Sequence, residues 1–396
     1  MRERLFKPEP LPGRGALAAL FFVLLASVPA SLFGRPQSEV TVRRRTTTGY
    51  FGTFTQIVVF ADFSGAGALQ NWENCWNETK ALLEDLETKL SSEIPEGDIG
   101  RFNALNAGSG IAITDETAEV FRLAGEMNEL TGGAFNPAVY LLTDLWGFTP
   151  RFSLPAQSRL VMPYDRPGGP SSALPEEQYI GAFTRLADFS RCVLGGEEGR
   201  FVLSKTGPDE FVDGQRYSLK IDFGAIGKGY AAEKVAELLR AYGYRYGMVN
   251  IGSSSFRLLE RYVEEDNQED NSFGADLWPV NIRSPFDRNE KYLTAYGKDE
   301  GISTSGSYDR FYTIDGRRYS HIIDGKTGYP SGGEIISATV IGGDAARNDA
   351  LTTALCVMPA GEARRVMEEY LGDRRVILIL SGGGFISNTA MYHRNP

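Results

Sequence analysis

Between Leu219 and Arg240 the sequence reads Leu-Lys-Ile-Asp-Phe-Gly-Ala-Ile-Gly-Lys-Gly-Tyr-Ala-Ala-Glu-Lys-Val-Ala-Glu-Leu-Leu-Arg, an order that admits few local structures. The residues up to Asp222 predict a short strand. Gly224, Gly227 and Gly229 predict a tight turn, and Val235, Leu238, Leu239 and Tyr242 recur at helical spacing, so a helix should begin near Gly227. A strand fed into a helix through a glycine-rich turn leaves backbone N–H groups and the positive end of the helix dipole free to meet an anion. Lys228, in the first turn, can set a full charge beside a phosphate. The same pattern also describes an ordinary tight turn with a surface lysine, so alone it decides nothing. It is not a Walker A loop, because Lys228 is followed by Gly229 rather than Ser or Thr.

Two more segments concentrate polar chemistry. Gly301-Ile-Ser-Thr-Ser-Gly-Ser-Tyr308 and Ser320-His-Ile-Ile-Asp-Gly-Lys-Thr-Gly328 cluster hydroxyls and glycines suited to phosphate or sugar oxygens. His321 and Asp324 add a proton acceptor and a carboxylate, although a lone histidine is also a common structural residue. In Asn348-Asp-Ala-Leu-Thr-Thr-Ala354, Asp349 and Thr353 are four apart and share a helix face. Such a pair can hold Mg²⁺ with phosphate oxygens and water; the alternative is a helix start capped by Asn348 or Asp349. Composition narrows the chemistry. With 41 basic and 51 acidic residues the net charge is −10, which argues against nucleic-acid binding. Cys75, Cys192 and Cys356 form no C-x-x-C pair and His321 and His393 are the only histidines, so any metal should have oxygen ligands. No G-x-S-x-G elbow is present.

The N-terminus reads as an export signal. Arg2, Arg4, Lys7 and Arg14 precede an apolar run from Ala16 to Val28, followed by Pro29 and Ala30. A cleaved signal peptide is the leading reading and an uncleaved anchor the alternative, since the run is shorter than the roughly 20 residues a spanning helix needs. Either way residues 1–35 send the body, 36–396, to the outer side of the cytoplasmic membrane. Within the body, Gly52–Phe60 reads as a strand, Trp72–Leu90 and Asp115–Thr131 as helices, and Ser337–Ile341 and Val376–Leu380 as strands around a helix from Gly361 to Leu371. Residues 154–178 form a Pro/Gly-rich loop or seam, and 260–276 an acidic insertion. The mixture is α+β or α/β.

Together these segments resemble the ApbE family of FAD:protein FMN transferases, from about Tyr50 to the C-terminus. Phe51-Gly-Thr53 is similar to the family's opening Met-Gly-Thr, and Arg101-Phe-Asn with Leu105-Asn106 to its Asn-containing segment. Thr131-Gly-Gly-Ala-Phe-Asn-Pro137 with Leu145-Trp-Gly147 is similar to its flavin-contacting Gly-Ala-Phe-Asp-Pro stretch. Ile221–Tyr230 matches Asp-Leu-Gly-x-x-x-Lys-Gly-Tyr, and Ile302–Tyr308, His321–Gly328 and Asp349–Thr353 follow in the family's order. The resemblance implies an α+β, T-fold-like, two-lobed architecture with the FAD site between lobes. It also implies a Mg²⁺-dependent reaction in which a threonine or serine hydroxyl of an acceptor protein attacks the FMN phosphorus of FAD and AMP leaves.

By that resemblance Asp349, Thr352, Thr353 and the carbonyl of Ala225 would hold the metal. Phe51, Ala134, Phe135, Asn136, Asp222, Lys228 and Ile323 would line the FAD site, and His321 would accept the acceptor hydroxyl's proton. The acceptors implied are proteins of extracytoplasmic or membrane redox complexes. Four departures stand out: Phe51 for Met, Gly325 for the Pro after His-Ile-Ile-Asp, Gly252-Ser-Ser254 for a Gly-Gly-polar turn, and Glu93 where relatives often carry a flavin-site Tyr. Gly325 should loosen its loop. Water as nucleophile, giving an FAD pyrophosphatase, and a non-catalytic exported flavin carrier are the alternative readings.

Overall fold

The computed structural model describes residues 40–149, 174–263, 274–287, 289–390 and the backbone of 392–394. The N-terminal apolar run, most of the 154–178 loop and the middle of the 260–276 insertion lie outside the described residues. The helices among them are α1 (Ala68–Leu90), α2 (Asp98–Asn103), α3 (Asp115–Leu130), α4 (Tyr140–Leu145), α5 (Glu177–Leu186), α6 (Gly227–Ala241), α7 (Ala345–Val357) and α8 (Ala360–Glu369).

An antiparallel sheet of eight strands organises the body. Its spatial order follows the chain: Val40–Tyr50, Thr53–Asp62, Tyr246–Ile251, Ser255–Leu258, Gly301–Gly306, Ile335–Ile341, Arg375–Leu380 and Phe385–Ser387. Neighbouring strands therefore pair without crossovers, and the helices enter as excursions between them. The strand read from Gly52 spans Thr53–Asp62, and its shift from alternating to continuously apolar sequence has a plain cause. Ile57 and Val59 join the large core beneath the helices, while Val58 joins a second core with Trp278, Val280 and Leu293 on the opposite face. A sheet covered on both faces needs apolar residues pointing both ways. The second cover is a small sheet of Trp278–Arg283, Lys291–Gly297 and Tyr392–Arg394.

Several sequence expectations need correction. Leu219–Asp222 is extended but pairs with no strand. The side chain of Asn103 takes the place of a neighbouring strand, donating to the Ile221 carbonyl and accepting from its N–H at 2.8 Å each. The loop read as 154–178 ends earlier, because α5 opens at Glu177 with Tyr179, Ile180, Phe183 and Leu186 buried at helical spacing. Helix α7 starts at Ala345 with Asp344 as its cap, so Asn348 and Asp349 lie one turn inside the helix rather than at its start.

Candidate functional site

Gly229 fixes how closely two helices meet. A Cβ there would lie 2.1 Å from the Ala345 carbonyl oxygen, so only glycine lets α6 pass α7 at this distance. The approach lets the Gly229 N–H donate to Asp349 Oδ2 at 3.1 Å, with Lys228 Nζ 3.5 Å from the same oxygen. Asp349 is 2% exposed, and a carboxylate so buried stays where these partners hold it. Glu233 of α6 fixes the start of α7, accepting from the Ala345 N–H and from Arg257. One turn beyond Asp349, Thr352 and Thr353 face Ser305, whose Oγ lies 2.9 and 3.3 Å from their hydroxyls. The turn before α6 closes on itself: Gly224 N–H donates to Asp222 Oδ1, and Lys228 Nζ to the Gly224 carbonyl at 2.7 Å. Ala225 sits inside that turn. Burial raises the Asp222 carboxyl above its usual range, against the lowering pull of the Gly224 N–H, Lys228 and Arg310.

Phe51 reaches this corner from the sheet. It takes a left-handed φ of 52°, its N–H donates to Glu87 at 2.8 Å, and a Cβ on Gly227 would stand 3.5 Å from its ring. The Ala134–Asn136 segment follows the end of α3, where Gly132 and Gly133 turn at positive φ. Its next residue, Pro137, accepts from the Asp222 N–H at 2.8 Å, so these two segments are joined directly. Asn136 donates from Nδ2 to the Ala187 carbonyl at 2.7 Å and accepts the Ala138 N–H. Ile323 is buried and bridges to Pro330.

One departure, Gly325, behaves differently from expectation, and a second, Glu93, finds a partner. The loop at Gly325 is not loose: Asp324 accepts from the Lys326 N–H and Thr327 hydroxyl and bonds across the turn to Tyr329 and Gly328. A Cβ at 325 would lie 2.6 Å from Asn136 Nδ2, so the Asn136 amide fills the space a larger residue would need. Glu93 is half-buried, and its Oε1 accepts from the Tyr140 hydroxyl at 3.1 Å.

His321 Nδ1 lies 3.2 Å from the Arg310 carbonyl, which fixes the hydrogen on Nδ1 and leaves the lone pair on Nε2. Burial, with Arg310 and Lys228 nearby, pushes its pKa down to about 3, so the ring is neutral at pH 7. Its ring meets Phe148 edge-on, beside a cleft of about 350 Å³ lined by Gly147, Phe148, Asp309, Arg310, Phe311 and Tyr312. Sequence reasoning missed Arg310, Glu233, Tyr140 and Lys220; Asn103 was visible in the Asn-containing segment, though its bonds to Ile221 were not. Ser305 was visible within the hydroxyl-rich segment, though its partners were not.

The residues can hold a hard divalent cation. Asp349, Thr352 and Thr353 offer a carboxylate and hydroxyls, and the Ala225 carbonyl belongs to the turn that Lys228 ties to Asp349. Among the described residues no three His, Cys, Asp or Glu side chains gather. A set made of oxygen donors alone, one carboxylate, two hydroxyls and a carbonyl, suits Mg²⁺ by its chemistry.

The fold and this corner define an α+β protein with a glycine-rich turn, leading into a helix, set against a buried carboxylate and paired hydroxyls. Residues 51–378 match the ApbE family, and the chain belongs to it. Among similar proteins, the FAD:protein FMN transferase of Klebsiella pneumoniae (strain 342) is 28% identical over 91% of this chain and 89% of its own length. That of Treponema pallidum (strain Nichols) is 29% identical over 74% of each. The flavin transferase ApbE from Vibrio cholerae superposes with a TM-score of 0.68 at 25% identity, covering 88% of this chain and 96% of that one.

Proposed function

We propose that this protein is an FAD:protein FMN transferase that acts outside the cytoplasmic membrane. An acceptor hydroxyl, from a threonine or serine, attacks the FMN phosphorus of FAD. The bond from that phosphorus to the AMP oxygen breaks, AMP leaves with the electron pair, and the acceptor keeps FMN as a phosphoester. The observation that carries this reading is the contact of Lys228 and the Gly229 N–H with Asp349, which brings the anion-binding turn and the hydroxyl helix to one point.

Phosphoryl transfer asks a protein chiefly to position groups and neutralise charge. Lys228 and the α6 N-terminus supply fixed positive charge for the pyrophosphate. Asp349, Thr352, Thr353 and the Ala225 carbonyl would hold Mg²⁺, which when bound offsets the negative charge growing on the phosphate oxygens. Asp222, with Phe51, Ala134–Asn136 and Ile323, would orient the rest of FAD. His321 would take the acceptor's hydroxyl hydrogen in a hydrogen bond at Nε2. With a pKa near 3 it orients that hydroxyl better than it stores a proton, until phosphate charge raises its basicity. The cleft beside His321 gives an acceptor segment room to approach.

The test incubates the body with FAD and Mg²⁺, with and without a threonine-bearing acceptor domain of a membrane redox complex. The expected result is an acceptor mass gain of one FMN with matching AMP. AMP and free FMN without labelling would make water the nucleophile, and intact FAD throughout would leave only a carrier. Membrane association through residues 1–35 is the companion proposal, read by comparing membrane fractions of full-length and truncated chains.

A further inference from the structure

Lys220 is a half-buried lysine whose ammonium makes no hydrogen bond or ion pair with any described residue. Its Nζ stands 5.5 Å from the centre of the Tyr140 ring, and its nearest charges are Asp144 and Glu93. A cation taken partly out of water without a hydrogen-bonding partner is costly, and such a group in a native fold asks for an explanation. Burial lowers its pKa, while Asp144 and Glu93 act to restore it.

The surroundings say what could satisfy it. Lys220 is two residues before Asp222, whose N–H is bonded to Pro137, three residues before Tyr140. The Tyr140 hydroxyl donates to Glu93 Oε1 at 3.1 Å, and Tyr140 also feels the charge of Asp222. Three separate stretches of chain, around 93, 134–140 and 220–222, therefore meet at one polar cluster on the flank of the proposed FAD site. The cluster presents a donor in the Lys220 ammonium, an acceptor in the Glu93 carboxylate, and a phenol that orients the acceptor. A phosphate does not suit it, because Glu93 and Asp144 would repel a second anion. A neutral group with alternating acceptors and a donor does suit it.

We propose that Lys220 and Glu93 read the pyrimidine edge of the flavin ring, Lys220 donating to a ring carbonyl oxygen and Glu93 accepting from N3–H. Tyr140 is a positioning residue that fixes the carboxylate. The inference rests on the FAD reading of the site and deepens it. In this chain a charged donor–acceptor pair takes the place of a stacking aromatic at residue 93.

The experiment measures equilibrium binding of FAD, FMN and ADP to the whole protein. Lys220→Met should weaken FAD and FMN about tenfold or more, as expected for loss of a charged hydrogen bond, and leave ADP within twofold. Lys220→Arg should recover part of the loss, and the visible absorption shift of bound flavin should shrink in Lys220→Met. Equal weakening of ADP and FAD, or no change in either, overturns the proposal. Should Lys220→Met fail to fold, Glu93→Met, which removes the acceptor, answers the same question with riboflavin and 3-methylriboflavin, which lacks the N3 hydrogen. Wild type should prefer riboflavin and the variant should lose that preference; a wild type that binds both alike overturns the proposal. A wild type that binds FAD but labels no acceptor would sink the transferase reading and leave this one standing.

Discussion

The corner around Asp349 and the flank around Glu93, Asn136 and Gly325 are held together by different means. At the first, key contacts join a backbone group to a side chain: the Gly229 N–H reaches Asp349, and the Ile221 peptide groups meet Asn103. At the second, the contacts run through side chains, and the departures come in fitted sets. Asn136, standing where the family's Gly-Ala-Phe-Asp-Pro stretch has Asp, donates to the Ala187 carbonyl and occupies the space that Gly325 leaves open. Glu93 accepts from Tyr140. A contact made by backbone depends on how near two chains can come, and a single Cβ destroys it. A contact made by side chains can be exchanged, provided its neighbours change with it.

The largest expected effect tests the backbone corner. Asp349→Ala should cut FMN transfer at least ~100-fold in steady-state assays, because neutralising charge at a metal is worth several kcal/mol. Activity within a few-fold of wild type would remove Asp349 from the metal set. Gly229→Ala comes next. Its methyl would meet the Ala345 carbonyl at 2.1 Å, and neither backbone can yield, so chemical denaturation should show a loss of about 2–3 kcal/mol. A loss under half a kcal/mol would mean that α6 and α7 slide apart easily.

The side-chain flank should answer differently. Asn136→Asp faces a carboxylate to the Ala187 carbonyl, and Gly325→Pro presses a ring on the Asn136 amide, so each alone should destabilise. Together they should cost less than their sum by about 1–2 kcal/mol, as contacting residues do in double-mutant cycles. Strict additivity would show that the two departures arose with no structural link.

What the sequence revealed divides along the same line. Helices α1, α3 and α8 and three of the eight strands of the large sheet were legible because apolar period and caps are local signals; Thr114, for instance, caps α3 through the Thr117 N–H. The site segments were legible as motifs. Their joints were not. Asn103 standing in for a strand, Glu233 fixing the start of α7, and Lys220 set over the Tyr140 ring depend on residues far apart in the chain. The strand expected at Leu219–Asp222 failed for this reason: its apolar pattern was right, but a side chain rather than a ladder satisfies its backbone. The looseness expected of Gly325 failed likewise, since the filling residue comes from the other side of the site.

Ser253 offers the smallest effect and separates fitted departures from unfitted ones. It stands where the family's turn has glycine, and it holds a φ of 56°, a left-handed conformation that costs a residue with a Cβ about 1 kcal/mol. Its N–H donates to Asn250 at 3.0 Å, a bond that glycine would keep. Among the described residues its hydroxyl makes no hydrogen bond that would offset the strain, in contrast to the Asn136 amide beside Gly325. Ser253→Gly should therefore stabilise the protein, by about 0.5 kcal/mol once the greater freedom of glycine in the unfolded chain is subtracted, with transfer activity unchanged. A denaturation midpoint that falls instead would mean that the Ser253 side chain is itself a partner in this turn, and that this departure too is fitted.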